Sequence, residues 1–520
     1  MKPCSQRKLE MRIPRKINLK QNQNLRNLSV FGLILLSYLI TAITWTQPHP
    51  GMRLFGFGWY CLLLGIWLCL CIFRSDRFRI PAVGIILAVL PLLNIFLGVR
   101  VAALPLSGLR LIPFIIFYAI TFLVIIDMLD QGISRYVFEN AILVVITMMA
   151  MAELITIINW YVDWWTTTGT FQLPPVNIRI PGLFFNHANV FAGALIIALP
   201  IQIIRFLSAS RLQEKILWLI HTALFIFMLY FTSSRSGWIG ASICIAVTLV
   251  LLFLNDESTF RQNMKVFFSQ KKNQILAMLI IPTGIASGLF LLLHQVNRTN
   301  HLPLLSSRDY IWNPAMEAIR NSPIIGHGMN SFGLIYAQAS HLPPGWLGSH
   351  AHNLFLQSWV ENGLIGLILT CIIIGIIFIN LIHSWRSKPE LRTTLTAYLG
   401  IFSGLLIQNQ FDFIFRQPLI SLLTISLFAI ASWLSSDRKG IRLQKYWIGW
   451  VGLLYLSFIL FSYLNWYPAD RLFWQGQIKM VAGDISGARE NICQAAELNA
   501  QETFFTFQCG LTRSYQTDGS

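Results

Sequence analysis

Residues 363–383 read "GLIGLILTCIIIGIIFINLIH". The stretch contains no Asp, Glu, Lys or Arg, and as a helix it is long enough to cross the ~30 Å hydrocarbon core of a bilayer. A helix lying on a soluble core keeps one polar face, whereas this run is apolar almost all round. Comparable runs recur on both sides of it, near 28–45, 54–73, 80–98, 106–127, 137–160, 189–207, 216–232, 237–254, 275–294, 394–411, 418–434 and 446–464. The chain is 55% hydrophobic and 12% charged, with a mean hydropathy of +0.59, where a soluble domain carries roughly 25% charged residues. These runs predict an all-α polytopic membrane protein with about 12–13 transmembrane helices.

The net charge of +17 is informative through its distribution. Residues 1–27 form a basic arm carrying Lys2, Arg7, Lys8, Arg12, Arg15, Lys16, Lys20 and Arg26. Placing that arm in the cytoplasm makes alternate connections internal. These hold Arg74, Arg77 and Arg79, then Arg135, then Arg205, Arg211 and Lys215. Further internal groups are Arg261, Lys265, Lys271 and Lys272, then Arg386, Lys388 and Arg392, then Arg438, Lys439, Arg442 and Lys445. Roughly two thirds of all Lys and Arg then fall on one side, as membrane topology requires. The charge encodes orientation and attraction to anionic membrane lipid, which argues against nucleic acid as a partner. The first span reads as a signal anchor rather than a cleaved leader. Most cysteines, including Cys61, Cys69, Cys71, Cys244 and Cys371, lie inside apolar spans, while Cys493 and Cys509 fall outside and could pair.

The expected organisation is an arm at 1–27, a transmembrane domain at 28–464 and an exterior helical tail at 465–520. Two long connections, about 161–188 and 295–362, fall on the outer face, and long loops in an economical chain are usually functional. In the tail, two helical patterns flank Gly483–Asp484, with Ala488, Ala495 and Ala496 at helix-packing spacing. They read either as one tetratricopeptide-like hairpin or as an ordinary amphipathic pair; a single repeat would need a protein partner.

Four outer-face stretches carry polar chemistry. In "TSSRSGWIG" (232–240) Arg235 stands where positive charge is disfavoured, and Ser234 and its neighbours surround it, so an anion pocket competes with a snorkelling arginine. "SSRDYIWNPAMEAIRNSPIIGHGMNSFG" (306–333) opens with Arg308; Asn313–Pro314 reads as an N-cap followed by a first helical residue. Its glycines, Gly326, Gly328 and Gly333, permit a tight loop and lack the spacing of a dinucleotide fingerprint. "SHAHNLFLQSWVENGLIGL" (349–367) places His350, His352 and Asn353 before an apolar helix whose first turns carry Gln357 and Glu361. A lone histidine is usually structural, yet here it could accept a proton from a hydroxyl. His350 and His352 have metal-ligand spacing but no third ligand nearby, so no metal is expected. "RIPGLFFNHANVFAG" (179–193) adds Arg179, His187 and Asn189. Three guanidinium groups and an imidazole at one membrane boundary suit the binding of a pyrophosphate and the deprotonation of an incoming hydroxyl.

These stretches resemble the O-antigen ligase and O-antigen polymerase superfamily of bacterial envelope enzymes. The features that carry the resemblance are Arg235 in "SSRSG", Arg308 with Trp312 and "PIIGHG", and "HAHNLFLQSWVENGLIGL", with "RIPGLFFNHANVFAG" in support. It covers roughly residues 175–370. Pro314 departs from the uninterrupted helix the family pattern has after Arg308. The resemblance implies a GT-C-like, metal-independent glycosyltransferase of the bacterial inner membrane, acting at its periplasmic face without a cofactor. Its donor would be an undecaprenyl-pyrophosphate-linked glycan, and its acceptor a lipid, glycan or protein hydroxyl. By the same transfer His352 would be catalytic, and Arg235, Arg308 and Arg179 would hold the pyrophosphate. His350, Asn353, Glu361, Asn189 and Ser234 would support them. Two rival functions stand beside this one: transport of a small solute such as bicarbonate, kept open by Glu153 inside a span, and a non-catalytic role in envelope assembly.

Overall fold

The computed structural model describes residues 15–46, 50–73, 76–81, 112–170, 180–255, 306–339, 350–436, 440–500 and 503–514, with a few isolated positions between them. The elements run α1 (Arg15–Thr46), α2 (Pro50–Ile72), β1 (Arg77–Pro81), α3 (Ile112–Asp130), α4 (Arg135–Thr168), α5 (Ala188–Ser208), α6 (Leu212–Phe231) and α7 (Arg235–Leu254). They continue with α8 (Ser306–Asn321), α9 (Phe332–Ala339), α10 (Leu354–Ser387), α11 (Arg392–Gln408), α12 (Pro418–Ser435) and β2 (Gly440–Gln444). The last three are α13 (Lys445–Val481), α14 (Ile485–Leu498) and α15 (Thr503–Ser514).

The protein is an all-α polytopic membrane protein. Among the described residues nine helices are long and apolar enough to cross a bilayer. The expected spans at 80–98 and 275–294 fall largely outside the described residues; at the start of the former, Ile80 and Pro81 belong to β1, which pairs antiparallel with β2. Large side chains such as Ile379 and Leu454 stand 70% and 73% exposed on the outside of the bundle, a surface that hydrocarbon, not water, would cover.

Several helices outrun the sequence expectation. The apolar pattern of α4 fades after residue 160, yet the helix continues through Trp164–Trp165 until Gly169 ends it in the left-handed conformation. Helix α8 starts at Ser306 and passes through Pro314, so Asn313 is not its N-cap. Proline costs one backbone bond there, and the helix tolerates this while Ala315, Ala318 and Ile319 are buried in a cluster with Phe332, Tyr336 and Val360. Helix α13 runs unbroken from the last span past Pro468 into the tail. There it packs on α14 and α15, which a Cys493–Cys509 disulfide joins.

The centre is built on close backbone approach. A Cβ on Gly240 of α7 would lie 2.8 Å from the Gly404 carbonyl of α11, and one on Gly404 would lie 2.6 Å from Cys244 Cβ. Small residues are what let membrane helices approach this closely, since burying apolar surface provides no net drive inside lipid. Helix α5 packs beside this pair, with Phe191–Ile197 buried throughout.

The bundle has two chemically different ends. At one end Arg79 pairs with Asp130 at 3.0 Å, Lys445 with Asp127 at 2.9 Å, and Arg26 donates to the Gln131 carbonyl at 2.6 Å. Lys388 bonds the Leu434 and Ser435 carbonyls at the same end. The expected internal groups around 77–79, 135, 386–392 and 442–445 therefore share a face with the arm. The histidine segment lies at the opposite ends of α10 and α11.

Candidate active site

Three chain segments meet on Asp412, in the turn between α11 and α12. His352 Nδ1 lies 2.6 Å from Asp412 Oδ1. Asn189, in the first turn of α5, donates its amide to Oδ2. Ser234 then donates to Asn189 Oδ1 at 2.7 Å while accepting the Gly237 N–H as the N-cap of α7. The His350 ring lies tilted by 35° against that of His352 with centroids 4.0 Å apart, and its Nε2 is 3.8 Å from Asp412 Oδ1.

Local backbone chemistry sets these positions. His352 itself adopts φ 52°, and Ser233 φ 50°, a region that costs a side-chain-bearing residue energy and persists only where surrounding bonds enforce it. The enforcement is on hand. Asn353 caps α10 by accepting the Leu356 N–H at 2.9 Å and donates to the Gln410 carbonyl at 3.0 Å. Leu354 N–H bonds the Asn409 carbonyl, Ala351 N–H bonds Gln357 Oε1, and Trp312 of α8 bonds the Ala351 carbonyl. One residue of strain is thus held between α8, α10 and the 409–412 turn.

Electrostatics assign the protonation states. Burial alone would raise Asp412, but hydrogen bonding to His350 and His352 and the nearby Arg308 hold its carboxyl below the usual carboxylate range. An ionised Asp412 makes His352 Nδ1 the donor and leaves the Nε2 lone pair free to accept. Burial pushes His350 down to about 4, with His352 and Arg416 adding to the effect against the pull of Asp412, so His350 is neutral near pH 7.

A second polar layer lies beneath. Gln357 donates to Glu361 at 2.7 Å, and the Glu361 carboxylate also takes the backbone N–H groups of Asn330 and Phe332. Arg416 reaches Asn330 Oδ1 at 3.3 Å. The Gly326 loop crosses the kink of α10 at Gly363: His327 and Gly328 N–H bond the Val360 and Glu361 carbonyls, at 2.9 and 2.7 Å. Glu361 therefore braces the loop after α8 rather than sharing the face of His352.

The structure unites His350, His352, Asn189 and Ser234 around Asp412, places Arg308 within electrostatic reach of it, and sets Asn353 and Glu361 as braces. Arg235 begins α7 directly after Ser234 and is exposed. The adjacent serine faces Asn189, so it does not build a pocket around that guanidinium. Arg179 lies outside the described residues. Two groups escaped the sequence reading: Asp412 and Arg416, in "NQFDFIFRQP" (409–418). The available signal was the same one that picked out Arg235, ionised residues in a short connection on the weakly basic side. Contrary to the sequence expectation, His350 and His352 have a third ligand group nearby, because Asp412 brings a carboxylate oxygen within 4.8 Å of both imidazoles. Glu153, the residue that kept transport open, is fully buried and takes the N–H groups of Phe184 and Phe185. It anchors the turn that starts α5.

Fold and site define a polytopic helical membrane protein with a half-buried His–Asp–Asn–Ser hydrogen-bond chain at one end of the bundle. Residues 220–371, from α6 into α10, match the family model described as O-antigen ligase. The match includes Arg235, Arg308, His350 and His352, and stops short of Asn189 and Asp412. The chain is 26% identical over 211 residues to the ComP-specific O-oligosaccharyltransferase of Acinetobacter baylyi, covering 40% of this chain and 36% of that protein. It is 32% identical over 92 residues to the exopolysaccharide production protein ExoQ of Rhizobium meliloti, covering 16% and 21%. An uncharacterized protein of Haemophilus influenzae matches at 27% over 189 residues, covering 33% and 44%. The chain spans less than half the length of these curated relatives.

Proposed function

We propose that this protein transfers a glycan from a lipid-pyrophosphate donor, of the undecaprenyl class, to an acceptor hydroxyl at the histidine end of the bundle. The observation that carries the reading is the 2.6 Å contact between His352 Nδ1 and Asp412, which leaves Nε2 as a base. In the step, the acceptor O–H gives its proton to His352 Nε2 and its oxygen bonds the anomeric carbon of the donor sugar. The bond from that carbon to the pyrophosphate oxygen breaks, and the prenyl pyrophosphate leaves with the electron pair. Asp412 holds the imidazole and offsets the charge it gains. Arg308 and Arg235 meet the charge growing on the leaving group. The basic residues gathered at the opposite end support a periplasmic position for the histidine end in a bacterial inner membrane.

The test is purified full-length protein with undecaprenyl-pyrophosphate glycan and lipid, glycan or protein acceptors, followed by release of prenyl pyrophosphate. Release that depends on acceptor and is lost in His352→Gln supports the reading; release unaffected by that change sinks it. A reaction run by these side chains alone proceeds at an unchanged rate in EDTA. A collapse restored by added divalent ion would instead assign His350, His352 and Asp412 to a metal.

A further inference from the structure

At the basic end, opposite the histidines, α4, α5, α6 and α11 line an open cavity of about 450 Å³. Two guanidinium groups line it, Arg135 and Arg205, with side chains only 18% and 21% exposed. Glu139 stands between them, but its oxygens are engaged: Tyr398 donates to Oε1 at 2.7 Å and Arg205 approaches Oε2 at 3.5 Å. Arg135 Nη1 is 4.0 Å from Glu139, too far for a hydrogen bond, and this buried nitrogen has no acceptor among the described residues. A buried charged donor without an acceptor is costly unless something fills the place. Ser208, Thr393 and Thr394 add hydroxyls to the wall, and Glu214 is its other acid.

We propose that this cavity binds the phosphodiester headgroup of an anionic phospholipid, with Arg135, Arg205 and the threonine hydroxyls as donors. The charge balance favours that class. The two arginines and the two acids, Glu139 and Glu214, balance. The anion is therefore drawn by Arg135 Nη1 and the hydroxyls, a weak donor set that suits a singly charged phosphodiester better than a phosphate dianion. The surroundings favour a lipid: Ile201, Ile204 and Ala397 share the wall, and Leu212 and Ile216, on the adjoining helix, stand 72% and 48% exposed. Tyr136 is half exposed, and Arg205 lies 5.3 Å from the Trp218 ring centroid. Aromatic and basic side chains together at a bundle end mark the headgroup layer.

The experiment is native mass spectrometry and thermal melting of the full chain in detergent, with phosphatidylglycerol, phosphatidylcholine or inorganic phosphate added. The expected result is retention of phosphatidylglycerol in preference to phosphatidylcholine, a preference that falls about fivefold in Arg135→Gln through loss of one cation. Thr393→Val/Thr394→Val lowers it while keeping the Glu139 contacts, and decides the matter alone should Arg135→Gln not fold. Equal retention of the two lipids, or an unchanged preference in the threonine variant, overturns the proposal. So does a melting shift from inorganic phosphate equal to that from phosphatidylglycerol, which would assign the cavity to a free ion.

Discussion

Asp412 receives a bond on each oxygen, from His352 on Oδ1 and from Asn189 on Oδ2, so its charge and its position serve different partners. Asp412→Asn keeps the shape and removes the charge that favours a protonated imidazole. Transfer is expected to fall at least about a hundredfold with the melting temperature held. The double variant Asp412→Asn/His352→Gln should be no slower than His352→Gln alone, because residues acting as one unit are not additive; additive losses would count against the pairing. His350 makes a separate prediction. Its folded value of about 4 lies below the ~6.5 of an unfolded histidine. Between those values the unfolded segment binds a proton that the folded one does not, so stability falls as pH drops through that window, by about 3 kcal/mol at most. The hydrogen-exchange protection factors of residues 350–353, corrected for the intrinsic pH dependence of exchange, should fall from pH 7 to pH 4.5, and His350→Gln should flatten that dependence. The sequence flagged both histidines because they sit in a distinctive run. It offered Asp412 as an ionised residue in a short connection but not its pairing with His352, 60 residues away, which forms only when the α11–α12 turn folds back.

Where elements meet, the crossing of the Gly326 loop over α10 supports the site from beneath. Gly363 has φ 66°, and a Cβ there would lie 2.1 Å from the Ile324 carbonyl oxygen. Gly363→Ala must shift backbone on both sides, at a cost of about 1–3 kcal/mol or more. Gly375, in the same helix, has nothing within 4 Å of such a Cβ, so Gly375→Ala is the matched control. Thermal melting in detergent should separate the two by several degrees, with transfer lost only in the first; equal melting would mean the loop is not seated on the kink. The glycine pattern was readable as a tight loop, and Gly326 and Gly328 do take positive φ, while Gly333 lies within α9. The path of α8 was not readable. A proline about two turns from either end of α8 looks like a helix start, and only the packing of Ala315 and Ala318 against the Phe332 cluster explains its tolerance.

Across the whole molecule, hydropathy points to the nine membrane-length helices found among the described residues, because lipid leaves the backbone few choices. It predicts helix ends poorly, since a helix leaving the bilayer keeps its bonds after its apolar pattern stops; α4 and α13 both do so. The same economy yields a last prediction. Helix α10 runs from the histidine segment to Arg386, so Asn186, near the start of α5, and Ser387 must lie on opposite sides of the membrane. In a background with the free cysteines replaced, Asn186→Cys should react with an impermeant maleimide in spheroplasts, and Ser387→Cys only after permeabilisation. The reverse pattern would put the basic end outside and remove the histidine site from a periplasmic donor. Labelling of both from one side would mean that α10 does not cross, and the two-ended arrangement that separates the histidine site from the arginine cavity would go with it. The choice of exposed positions matters, because Asn186 and Ser387 both reach solvent at their respective ends and neither belongs to the hydrogen-bond chain of the site. A labelling result therefore reports the path of the chain rather than damage to the site.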